Sequence, residues 1–358
     1  MSNVIKLNVP RHNRSREDRI ADLIASFAHQ RRIEEDVFWL KENAELLNIL
    51  ECTHAELTEE ALLPHQGFYA SVENRIEFFP QYYRFILSIC LDLEDLGLPG
   101  NKGEALAHWI AQQGLAESEL SDLQRGEAER LLARRGAVLT DRDDGLRDRL
   151  HNFMARSATF SMPNKKVAYE LTHIVFYLSE YGRVCPGLSQ EAITSLEYAG
   201  ILAYLDQNAD LLAEICVALR FAGQEVSNTW EDWLEEETFA FQIENGPQVS
   251  VADDYHDYFV CNWALATAGR DSFAGDMASE RLGFFKAPKV AAPLRVMSEC
   301  MFRMESGRSD DWAQMRPIVE QHLDDAGYDI LAQAEMSSDK FDSFFAGFAR
   351  TGLRGELA

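Results

Sequence analysis

Apolar positions recur at spacings of three and four along most of this chain, the period of helices that bury one face. After Ser15, a good N-cap residue, Ile20, Leu23, Ile24 and Phe27 predict a helix over 16–31. Val37, Leu40, Ala44, Leu47 and Leu50 predict a second over 34–52, and Thr58 then opens a short turn ending near Pro64. Pro80 and Gly97 bracket 81–96, which is apolar at its start and acidic at its end. Gly103 and Gly114 enclose a short helix. The stretch 117–135 reads either as one continuous helix or as one begun by the Ser121/Gln124 capping box, with Gly136 as its stop. A polar break at 140–145 precedes a helix over 145–157.

The second half repeats one theme. Helices are expected over 165–181, 190–205, 209–221 and 252–268, and three end in a residue-Gly stop at Gly182, Gly223 and Gly269. Ser189 and Asn208 stand where N-caps belong. Further helices are expected over 293–305, 310–326 and 339–350. Segments 169–183 and 256–270 share the ending x-Gly-Arg, and aligning them on it sets Phe176 opposite Trp263. This is a faint internal repeat of helical hairpins. Strand signals are almost absent; one pair of extended segments flanks Asn245-Gly246-Pro247, with 248–251 after it.

The fold class is therefore all-α, built from antiparallel helical hairpins as an α/α array (solenoid or toroid-like) or an irregular multi-helix bundle. We divide the chain into a polar arm over 1–14, an N-terminal helical region over 15–157 and a C-terminal helical region over 158–358. Arg11, Arg14 and Arg16, in and beside the arm, are candidates to meet an acidic patch.

Charge changes the picture of partners. The formal net charge is −25, and 184–269 holds 15 acidic residues against the single basic Arg220. Such a chain lacks the Lys and Arg contacts to phosphate that nucleic-acid affinity rests on, and it suits an anionic membrane no better. The acidic segment reads as a solvated face, with a basic protein partner or a cation as the alternatives. Six scattered cysteines without a CxxC pair point to reduced thiols and a cytoplasmic protein. The N-terminus has no apolar h-region, and no run approaches the length of a membrane span.

Candidate chemistry concentrates in two places. In 168–183, Glu170, His173, Tyr177 and Glu180 fall on one helical arc with aromatics on both sides. Glu170, His173 and Tyr177 are the candidate catalytic residues, lining a pocket for a small molecule or peptide. The bland alternative is a buried polar network in which these groups satisfy one another. An acid three residues before a histidine occurs at Glu51/His54, Asp148/His151, Glu170/His173 and Asp253/His256, against roughly 1.5 pairs expected from random placement. Glu-x-x-His pairs on two helices resemble the carboxylate-bridged dimetal bundle pattern. The second place is 253–257, Asp-Asp-Tyr-His-Asp. Its DDxxD form resembles the magnesium-binding motif of isoprenoid synthases, although it stands too near the C-terminus, lacks a second motif and has unlike flanks. Asp253, His256 and Asp257 are the candidate ligands of a divalent metal; acids favoured by a helix N-terminus are the alternative. No P-loop, GxGxxG, GxSxG or HExxH occurs, so no reaction type is indicated.

The runs FPQYYRFILSICLDLEDLG and GEALAHWIAQQGLAESELSDLQRGEAERLLARRG resemble an uncharacterised all-helical family of alphaproteobacteria, a domain of unknown function. That resemblance implies a cytosolic bacterial protein with no established activity. It brings no catalytic residue with it. A non-catalytic helical scaffold with an acidic binding surface remains the alternative to a ligand-binding protein or enzyme.

Overall fold

Helices account for nearly all regular structure in the computed structural model, which describes residues 14–139, 143–286 and 292–351. The chain is essentially all-α. Most of the polar arm lies outside the described residues; Arg14, within them, pairs with Asp22, while Arg16 and Arg19 reach Ser272 and the carbonyl of Phe273. One cluster of buried side chains extends from Ile20 to Ala349. No helix among the described residues is long and apolar enough to cross a membrane.

Local signals placed many boundaries. Ser15, Ser121, Ser189 and Asn208 each accept a backbone N–H at the start of their helices. The Ser121 cap decides the open choice over 117–135: the helix is Asp122–Ala133. Gly97, Gly114, Gly136, Gly223 and Gly269 all have positive φ just past a helix end, the backbone form that glycine adopts without penalty.

Three helices escape the apolar period. Gln66–Phe78 buries only Phe68, Tyr69, Val72 and Ile76 and has no side-chain N-cap. Asn228–Phe239 buries the narrow stripe Trp230, Leu234 and Thr238. The run expected over 310–326 stops at Glu320, and a separate helix, Asp325–Ser337, starts from the Asp324 cap. The small sheet also differs from the expected pairing. Gln242–Asn245 pairs antiparallel with Leu282–Phe285, not with 248–251, in the register Gln242 to Phe285. Leu282 and Phe284 are fully buried, so the partner is chosen by core burial 40 residues away and not by a tight local turn.

The helix Ala209–Phe221 lies at the centre. It packs against Gln190–Leu205, Lys165–Leu178 and Tyr255–Thr267, and the last of these touches Val37–Cys52. Close approach at Gly200 lets Trp230 lie against the helix Gln190–Leu205; a Cβ there would sit 2.4 Å from the indole. Gly200→Ala is accordingly expected to destabilise the fold by about 1–3 kcal/mol, read as a lower denaturation midpoint at unchanged m-value.

Candidate metal centre

Residues 209–219 are all buried, as expected of a helix that is apolar on every face. Yet this helix carries Asp210 and Glu214, 9% and 2% exposed, one turn apart and so on one face. Carboxylates in such a setting need donors or a cation. The neighbouring helices supply both donors and an imidazole.

From Lys165–Leu178, the Tyr169 hydroxyl donates to Asp210 Oδ2, and the Thr172 hydroxyl donates to Glu214 Oε2 at 2.5 Å. His173 Nδ1 lies 3.6 Å from Glu214 Oε2 and 2.7 Å from the Tyr169 carbonyl. The carbonyl contact requires the proton on Nδ1 and leaves the lone pair of a neutral ring on Nε2. From Tyr255–Thr267, His256 stands between two carboxylates. Its Nε2 is 3.4 Å from Asp210 Oδ1, and its Nδ1 is 3.3 Å from Oε2 of Glu45, which comes from Val37–Cys52. One ligand atom from each of Asp210, Glu214 and His256 falls within 4.8 Å of the others.

Hydroxyl donors thus hold one oxygen of Asp210 and one of Glu214. Asp210 Oδ1, Glu45 Oε2 and His256 Nδ1 are buried and make no contact of hydrogen-bond geometry among the described residues; the two oxygens face different nitrogens of the His256 ring as ion pairs. The electrostatics reflect the crowding of acids. Burial disfavours a charged His256, but Glu45 first, then Asp210 and Glu214, raise its pKa to about 9. Burial raises Glu214, with Asp210 adding to the effect and His173 opposing it. Burial likewise resists ionisation of Glu45, yet His256 prevails and holds it below its usual value.

These donors fit a divalent first-row metal. Such an ion binds carboxylate oxygen and imidazole nitrogen at about 2.0–2.2 Å, and so spaces its ligand atoms about 3–4 Å apart. The ligand atoms of Asp210, Glu214 and His256, all within 4.8 Å of one another, lie near that spacing. Tyr169 and Thr172 would then act as the outer partners that orient ligating carboxylates.

The residues singled out in the sequence divide between several places. Of the Glu170, His173 and Tyr177 seam, only His173 reaches the cluster. Glu170 is half-buried, with no hydrogen bond or ion pair to a described residue, and Tyr177 lies beyond His173, their rings 6.1 Å apart. Glu180 is not on the arc at all: the helix ends at Leu178, and Glu180, Tyr181 and Gly182 all have positive φ. The ring of Tyr181 instead stacks on Trp263, beside Phe176. Of Asp253, His256 and Asp257, only His256 joins other potential ligands. Asp253 accepts two bonds from Arg31, at 2.8 and 2.9 Å, and one from the backbone of Phe284. Asp257 pairs with Lys286. The acidic run is also partly neutralised within the protein, since Arg270 reaches Glu231, Asp232 and Glu235 and Arg220 pairs with Glu231.

Asp210, Glu214 and Glu45 were not singled out. A signal for the first two was present: two acids, four apart, in the otherwise apolar ADLLAEICVAL. No curated protein and no solved structure matches the chain. A family model does match, over residues 1–351, and the chain belongs to that family, described as a domain of unknown function (DUF6902).

Proposed function

We propose that this protein binds a divalent transition metal at Asp210, Glu214 and His256, with Glu45 on the other ring nitrogen of His256 as an outer partner, and works as a cytoplasmic metal-dependent binding protein or enzyme. One observation carries the reading: one ligand atom from each of Asp210, Glu214 and His256 falls within 4.8 Å of the others, while the Tyr169 and Thr172 hydroxyls hold oxygens of the central helix's carboxylates. Mixed nitrogen and oxygen donors favour manganese, iron or zinc over calcium. Six cysteines with no disulfide among the described residues support a reducing compartment.

Metal analysis of freshly purified protein, followed by calorimetric titration of chelator-treated protein with Mn²⁺, Fe²⁺ and Zn²⁺, tests this. One equivalent bound at micromolar or tighter affinity is the expected result; no binding below millimolar concentrations would overturn it. The pH dependence is a separate check. A metal on His256 displaces its proton, so affinity should rise about tenfold per pH unit up to pH 9. The metal-free protein should show the opposite trend in stability. His256 is raised from 6.5 to about 9, so its stabilising charge is fully present below pH 6.5 and lost as pH rises through 9. Thermal midpoints between pH 6 and 9.5, with and without metal, read both slopes.

A further inference from the structure

We infer that Arg130 anchors a second ligand site, a groove that takes the carboxylate of a small amphipathic molecule. Arg130 lies on the helix Asp122–Ala133 and is 7% exposed, with its guanidinium over the Tyr181 ring at 4.6 Å. Its Nε and Nη1 are buried without a hydrogen bond, and no carboxylate among the described residues is within ion-pair distance. The other buried arginines of this protein show what a structural guanidinium looks like here. Arg31 holds Glu42 and Asp253, and Arg134 holds Asp92 and Asp95. Asp92, whose charge Arg130 feels, is already taken by Arg134 at 2.7 Å and Ser88 at 3.1 Å. In a chain with 59 acids and 34 Lys and Arg, a buried arginine left without an acid is a place reserved for an external one.

The space beside it has the right form. Arg130 lines a cavity of about 560 Å³ bounded by Asp122–Ala133, Leu146–Met154 and Lys165–Leu178. Its walls include Leu132, Leu139, Leu150, Leu178 and Val184, and Tyr177 stands among them with a hydroxyl that bonds no described residue. Such a volume suits a small molecule with an apolar body and one polar head. Glu129, Asp143, Asp144, Asp148 and Glu180 also border the groove and Arg147 is its second cation, so a phosphate dianion meets repulsion that a monocarboxylate tolerates better. The site does not depend on the metal centre.

The test is calorimetric titration of the full-length protein with octanoate and, separately, with inorganic phosphate, for wild type, Arg130→Met and Arg130→Lys. Octanoate should bind in the wild type and lose about tenfold in affinity with Lys, which keeps the charge but not the planar fork, and more with Met. Chelating the metal should leave that binding unchanged. Circular dichroism checks that each variant is folded, and the Lys variant decides the matter if the Met variant is not. Absence of octanoate binding at millimolar concentration, unchanged binding in a folded variant, or phosphate binding tighter than octanoate would each overturn the proposal.

Discussion

Replacing Asp210 and Glu214 together by Asn and Gln should abolish metal binding while leaving the metal-free protein folded. The substitutions keep shape and keep an acceptor for the Tyr169 and Thr172 hydroxyls, so packing around the central helix is preserved. They remove the charge that draws a cation into a buried site. In the wild type, metal at about 100 times its dissociation constant should add about 2.7 kcal/mol of stability, because it binds the folded state alone. The double variant should show no such gain. The readout is the metal-induced rise in thermal midpoint, measured on both proteins at the same free metal concentration. A full rise in the variant would place the metal elsewhere and refute the centre. Glu170→Gln provides the contrast: Glu170 makes no hydrogen bond or ion pair to a described residue, and its loss should leave the rise intact.

Arg31→Met should cause the largest loss of stability of any substitution considered. Arg31 is 2% exposed and joins the two halves of the chain, gripping Glu42 at 3.0 Å and Asp253 at 2.8 Å. It also lies over the rings of Phe27 and Tyr255. Truncating one partner of a buried ion cluster costs about 3–5 kcal/mol, because the remaining charges stay buried without compensation. Glu42 keeps Arg32 at 2.5 Å, so most of the penalty falls on Asp253, whose side chain is fully buried. Urea denaturation should therefore show a large fall in midpoint for Arg31→Met and substantial recovery in Arg31→Met/Asp253→Asn. A deficit independent of the second substitution would show that Arg31 acts through packing alone.

Much of the local architecture was legible in the chain. Ser15, Ser189, Asn208 and the glycines after helix ends act through bonds and φ angles within a few residues, so position in the sequence suffices to read them. The helix Asn228–Phe239 shows where this reading stops. Its buried stripe is three residues wide, and Trp230 is anchored by Gly200, 30 positions away. The strand Gln242–Asn245 fails for the same reason, since its partner is selected by burial of Leu282 and Phe284.

The candidate site divides along the same line. His173 and His256 could be singled out because an imidazole beside acids or aromatics is conspicuous within one segment. Their partners could not be paired from the chain: i, i+3 and i, i+4 spacing reports only neighbours on one helix. Asp253 and Asp257 have that spacing to His256, yet Arg31 and Lys286 take them, whereas Asp210 and Glu45 approach from helices distant in sequence. The sequence by itself determined the all-α class, the helix boundaries set by caps and glycines, and the excess of acid over base. Only the tertiary structure decided which acids are neutralised by arginine or lysine and which converge around His256. Pairing of buried charges depends on distances of 3 to 4 Å between side chains of different helices, and those distances exist only once the helices have packed.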